Sequence, residues 1–326
     1  MATFVQSILV NNVSIAADGD IVIDCPVNPL SAILLHVSPL NETSTITTYS
    51  MLAALLGAFS KVRVLHRGAS VVDGSLADLA MVAMLWRGQR VWQSNCVETD
   101  NDRRSVVVPI TFGRQAYDPK ECFPETKKGE LQLSLTADIA ATGYDGLRYS
   151  VETIELPDAE PVYVEKVTTL AQTFGATGQQ DVDLPIGNVI RALLLWGTTA
   201  YAGATPVPSW GQVSVLRDNR QTYYSASDWE VLRGLNGVRG VLFPADFRHI
   251  HSGTYTTTVA GDSREPEIGA SLDANYALVP FDVLGDDSYS MVTEGAGRVN
   301  VRAVAETADA VRVLPIERVP VATFKD

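Results

Sequence analysis

The chain has 326 residues, 46% hydrophobic and 19% charged, which suits a folded protein long enough for two cores of ordinary domain size. A net charge of −13 argues against a basic face for nucleic-acid phosphates, so no direct sequence-specific nucleic-acid binding is expected. No run reaches the roughly eighteen apolar residues of a membrane-spanning helix, and "MATFVQS" lacks the basic start and apolar centre of a signal peptide, so the chain is expected to stay in the compartment where it is made.

The first half reads, in chain order, as short runs rich in Val, Ile, Leu and Thr between Gly, Asp, Asn and Pro turns. The runs are "ILVNNVSI", "DIVIDC", "AILLHV", "KVRVLH", "RVWQSN", "SVVVPITF", "LQLSLTADI" and "LRYSVETIEL". The continuous run at 30–37 is expected to be covered on both faces, whereas Leu131, Leu133 and Leu135 alternate with polar residues as on a half-wet strand. "MLAALLGAF" fits a buried helix. A second helix is expected in "DGSLADLAMVAMLWRG", with Ser75 and Asp78 as a capping pair and Gly88 as its stop.

The second half repeats this plan. Leu9 falls on Leu170 and Asp20 on Asp181 at a shift of 161 residues, and "SAILLHV" (Ser31–Val37) falls on "RALLLWG" (Arg191–Gly197) at 160. The helix at Ser75 is answered by "SASDWEVLRGLNG", where Ser227 and Glu230 form a capping box and Gly234 or Gly237 ends the helix. Pro109 matches Pro280, "GELQLSL" matches "GRVNVRA", and Ile154-Glu155 matches Ile316-Glu317. These matches share one order, which points to a duplication with loop insertions.

About eight strands per half with one helix inserted predict an all-β fold of two tandem β-sandwiches, jelly rolls by preference. The link "ETADA" would equally suit a plain hairpin, so connectivity stays open. The domains are expected at 1–157 and 169–326, joined by a Pro- and acid-rich linker at 158–168, with a long exposed loop at about 238–276.

Catalytic chemistry is not expected. His249 and His251 have the spacing of a cupin metal pair, but no later histidine completes a site, and no cofactor or metal is expected. His36 and His66 stand singly in apolar strands. The paired acids Asp100 and Asp102, and Asp286 and Asp287, sit in turn-like contexts where Asp bonds its own backbone. Cys25, Cys96 and Cys122 read as buried free thiols in a reducing compartment. Trp210, in "TPVPSWG", is the tryptophan expected to be exposed; the other four fit the core. A bicupin or carbohydrate-active enzyme and a receptor-binding virion or appendage protein are the alternative readings.

Two tandem sandwiches of about 160 residues, each with an inserted helix and with a longer loop in the second, resemble the double jelly-roll major capsid proteins of tailless icosahedral viruses, the adenovirus and membrane-containing bacteriophage lineage. The resemblance rests on architecture over nearly the whole chain. It implies a non-enzymatic homotrimer of pseudo-hexagonal outline. Such trimers meet neighbouring trimers, penton and minor capsid proteins, and an internal lipid membrane where one is present. It also implies a place in the virion after assembly in the host cytoplasm, and the chain length suits a bacteriophage. The termini, 1–8 and "VPVATFKD", are candidates to tie neighbours or touch a membrane.

Overall fold

The computed structural model describes residues 3–41, 52–89, 91, 93–94, 103, 105–139, 144–199, 208–238 and 275–324. The described residues up to Glu165, with those from Pro320 on, form one compact unit; those from Lys166 to Val319 form the other.

The first unit is built from β1 (Val5–Ser14), β2 (Gly19–Asp24), β3 (Leu30–Asn41), β4 (Phe59–His66), β5 (Ala69–Gly74), β6 (Gln93–Ser94), β7 (Ser105–Thr111), β8 (Leu131–Ala137) and β9 (Tyr144–Glu155). One sheet runs β1-β9-β3-β7-β6, and β5-β4-β8-β2 are neighbours in the other. This is a jelly roll: each of its eight long strands hands the chain to the opposite sheet except at the β4–β5 hairpin. That hairpin turns on Arg67 and Gly68, both left-handed (φ 49° and 81°), as a two-residue turn between twisted strands requires.

The strand β10 (Tyr163–Thr168) crosses the boundary between the units, inside the stretch read as a linker. The second unit follows with β11 (Leu170–Thr173), β12 (Gly178–Asp183), β13 (Val189–Gly197), β14 (Trp210–Arg217), β15 (Gln221–Asp228), β16 (Tyr276–Pro280), β17 (Met291–Val292), β18 (Val299–Ala305) and β19 (Ala310–Pro320). Here β11 pairs with β19, β19 with β13 and β13 with β16, while the second sheet runs β12-β18-β14-β15. Strand for strand this is the order of the first unit. The link "ETADA" joins β18 to β19 in different sheets, so it is not a hairpin.

One helix of each unit falls at a matching place. α1 (Leu52–Gly57) lies between β3 and β4, and α2 (Leu76–Met81) follows β5. The Ser75 side chain accepts from Asp78 N and the Asp78 carboxylate accepts from Ser75 N, both at 3.1 Å, which satisfies two amides of the first turn. The chain continues as one π-helical segment through Trp86, and Gly88 leaves it at φ 63°. α3 (Trp229–Val238) follows β15 at the equivalent point. It departs from expectation at both ends: Ser227 lies inside β15, and the helix runs through Gly234 and Gly237 because Leu232 and Asn236 are held in the core.

Two further readings are corrected. The strand β5 was not foreseen, because "ASVVDG" has polar ends and follows the turn without a break. Trp210 is fully buried: its ring stacks on Trp229 with centroids 6.4 Å apart, meets Phe174 edge-on at 5.1 Å, and donates Nε1–H to Trp196 O at 3.0 Å. The polar run before it ends where β14 turns inward, and the only polar atom of the indole is bonded.

Candidate assembly surfaces

The duplicated register brings one pair of side chains together in each unit. β3 carries an irregularity at Ser31, between Leu30↔Glu155 and Ala32↔Ile154; β13 carries the same at Arg191, between Ile190↔Glu317 and Ala192↔Ile316. Just before each bulge an asparagine reaches the last strand. Asn28 Nδ2 donates to Glu155 Oε2 at 2.8 Å, and Asn188 Nδ2 donates to Glu317 Oε2 at 2.7 Å. Both glutamates are buried. Burial pushes the Glu317 carboxyl above its usual range, against the opposing pull of Asn188 and of Lys166, whose Nζ lies 3.9 Å from Oε1.

The bulged residue also fixes the loop that follows the sheet. Ser31 O accepts from Phe112 N at 3.0 Å, and Arg191 O accepts from Phe281 N at 2.8 Å. A left-handed, non-glycine residue in each loop is then held by the bulge side chain. Tyr117 (φ 69°) donates its N–H to Ser31 Oγ at 2.8 Å. Asp287 (φ 65°) accepts from Arg191 Nε and Nη2 at 2.8 and 3.1 Å and from Arg318 Nη1 at 2.7 Å. Asp286 caps its own turn through Ser288 N at 2.9 Å. Asp286 thus bonds its own backbone as its turn context implies, whereas the Asp287 carboxylate is taken by side chains, the two arginines and Ser290 Oγ.

These anchors hold one end of each roll, where its first strand begins and its last ends, and exposed apolar side chains gather there among charged ones. Ten of the sixteen exposed large apolar side chains among the described residues lie there: Phe4, Val5, Val27, Tyr117 and Val162 in the first unit, and Ile186, Val283, Leu284, Tyr289 and Val292 in the second. Phe4 and Tyr117 meet edge to face at 5.5 Å although both stay more than half or about half exposed (58% and 50%). Exposed apolar clusters of this kind mark interaction surfaces.

The C-terminal segment does not hang free. Val321–Phe324 forms a 3₁₀ turn, and the Phe324 ring packs 5.2 Å from Phe123 and 5.9 Å from His66, in the first unit. His66 is thus buried among aromatic rings, and burial lowers its pKa. Residues 3–8 run into β1 as an edge strand.

His249 and His251 lie outside the described residues, as do Asp100, Asp102 and Cys96. Among the described residues no group of three His, Cys, Asp or Glu is placed to hold a metal, and no helix is long and apolar enough to cross a membrane. Cys25 and Cys122 are buried free thiols, each pushed up to about 12 chiefly by burial.

No protein-family model and no curated protein matches the sequence. Among solved structures the fold is similar to that of the major capsid protein P2 of bacteriophage PM2, with a TM-score of 0.63 at 12% identity over 98% of both chains. It is similar to the STIV major capsid protein, with a TM-score of 0.67 at 12% identity over 97% of both chains. It is also similar to PBCV-1 VP54, with a TM-score of 0.62 at 10% identity over 98% of this chain and 94% of that one. At these identities the likeness is one of fold, and it spans both rolls.

Proposed function

We propose that this chain is the major capsid protein of an icosahedral virus, a structural subunit that assembles as trimers of pseudo-hexagonal outline. The observation that carries this reading is the identical strand order and bulge register of the two units, in a fold that matches viral capsid proteins from end to end. Three copies, each with two alike rolls, place six similar bodies about a threefold axis. A threefold molecule can then occupy sixfold positions in a closed shell.

The physical role is that of a rigid tile. Each roll has a closed apolar core, and each has an anchored end whose exposed apolar side chains need a partner away from water. In the shell this end would face inward, toward an internal lipid membrane where the virus has one. Penton and minor capsid proteins would meet the trimers at the vertices and seams. The site of action would be the virion, of a bacteriophage by the likeness to the PM2 protein, after assembly in the reducing cytoplasm of the host, where Cys25 and Cys122 stay as thiols.

Negative-stain images of the purified chain test the reading. Particles of hexagonal outline with threefold symmetry are expected; fields of single-chain particles at every concentration would overturn it.

A further inference from the structure

Both units carry the Asn–Glu couple, but its surroundings differ. In the first unit Glu155 stands opposite the apolar Val5 on β1, and its other oxygen, Oε1, accepts from Thr153 Oγ1 at 3.5 Å. In the second unit Pro315 takes the place of Thr153, opposite Leu193 as Thr153 is opposite Ile33, and offers no hydroxyl. Glu317 Oε1 is left buried with no hydrogen-bond partner among the described residues. What faces it is the Lys166 amine at 3.9 Å, beyond hydrogen-bond distance. The other oxygen, Oε2, is held at 2.7 Å by Asn188 Nδ2.

A wholly buried carboxyl therefore stands between a primary amine and a carboxamide, one at each oxygen. A buried ion pair repays its desolvation only at hydrogen-bond distance with its remaining lone pairs satisfied, and neither holds here. The three groups have instead the parts of an acyl transfer: a nucleophile, an acyl carbon and an acid–base group between them. Asn188 is presented from a fixed backbone, its O accepting from Thr293 N at 3.2 Å and from Thr293 Oγ1 at 2.5 Å. Lys166 is a flexible four-carbon stem whose side chain is 29% exposed, free to swing toward it.

We infer that Lys166 and Asn188 become joined by an amide bond that the folded chain makes on itself, with Glu317 carrying the protons. In the reactive form the extra proton of the Lys166 amine rests on Glu317, whose carboxyl burial favours as neutral. The Nζ electron pair attacks Asn188 Cγ. Nδ2, now an amine on a tetrahedral carbon, takes the Glu317 proton through the contact it already makes, and the carboxylate takes one from Nζ. The Cγ–Nδ2 bond breaks with its electron pair on nitrogen, and an Nζ–Cγ amide remains. Ammonia leaves with the last proton of Glu317, as ammonium. Nothing is oxidised or reduced, and no co-reactant is consumed. A lysine amine is mostly protonated at neutral pH, so the bond follows folding slowly and the freshly folded chain carries the three groups unlinked. The link would staple the start of the second unit to the turn before its central strand, in a form that a reducing compartment does not undo. It needs one chain only and is independent of how copies assemble.

Intact mass of the purified full chain, measured at once and after ageing in neutral buffer, tests this, with thermal melting as the check on folding. Wild type is expected to lose the mass of one ammonia on ageing. After cleavage at Asp181 and Asp183, between the two residues, the segments carrying Lys166 and Asn188 are expected to stay joined. Lys166→Arg and Glu317→Gln are expected to fold and keep their full mass, and Asn188→Asp to form the same link with loss of water instead of ammonia. An aged wild type of unchanged mass would overturn the inference. So would ammonia loss with the two segments separable, which marks cyclisation at an asparagine alone, or the same loss in Lys166→Arg. If Glu317→Gln does not melt cooperatively, Lys166→Arg alone decides.

Discussion

Asn188 donates to Glu317 at 2.7 Å across the second unit, and Asn28 repeats the same bond to Glu155 at 2.8 Å in the first. Each bond ties the turn before a central strand to the last strand of the roll, over sequence separations of 129 and 127 residues. Its recurrence at the same bulge makes it a structural device of the duplicated unit rather than a local accident.

Removing the donor leaves a buried carboxylate oxygen without its bond, which costs about 1–3 kcal/mol. Asn188→Ala is therefore expected to lower the unfolding free energy by about that amount in urea titration. Asn28→Ala is expected to cost less, since Glu155 keeps slight exposure while Glu317 has none. Wild-type stability in both variants would show that the couple carries no load.

The same carboxyl gives a pH dependence of known sign. Burial raises the folded-state pKa of Glu317 above its ordinary value of 4.5, so the native state holds this proton more tightly than the unfolded chain. The stability this group contributes is complete below that ordinary value and is lost as pH rises through the raised one. Glu317→Gln mimics the protonated form. It should melt higher than wild type at pH 7 to 8, with the difference narrowing as the pH falls to the ordinary carboxylate range. A variant that melts lower at pH 7 to 8 would show that Lys166 more than offsets the cost of burial.

Among the described residues Trp210 is the largest fully buried side chain, held between Trp229 and Phe174. Trp210→Ala is expected to destabilise by about 3–5 kcal/mol through the cavity it leaves. Trp210→Phe should recover much of this but not the bond to Trp196 O. Equal melting of Trp210→Ala and wild type would contradict the packing.

Much of the fold was legible because the chain states it twice. The shift that lays "SAILLHV" over "RALLLWG" aligns two strands with the same neighbours and the same bulge, and Ser75 caps its helix as its spacing implies. What stayed hidden depends on pairing between distant strands. Pro109 and Pro280 match as letters, yet the register sets Thr111, not Pro109, opposite Ala32, as Pro280 lies opposite Ala192. The Asn–Glu couples were present in the aligned segments, but nothing local says that residue 28 meets residue 155. Trp210 was misjudged because Pro and Ser before it describe the loop, while burial is decided by the strand it enters. The exchange of Trp196 for His36 was visible in the aligned strands; that a groove of about 540 Å³ opens at His36 follows from Ser150 and Val107 across the sheet.

The central claim is that this chain is a subunit built to close into threefold, six-bodied tiles. The native mass of the purified wild-type protein tests it most directly. The account predicts a species at about three times the 35.2 kDa chain mass that persists on dilution; a mass of one chain at every concentration would contradict it.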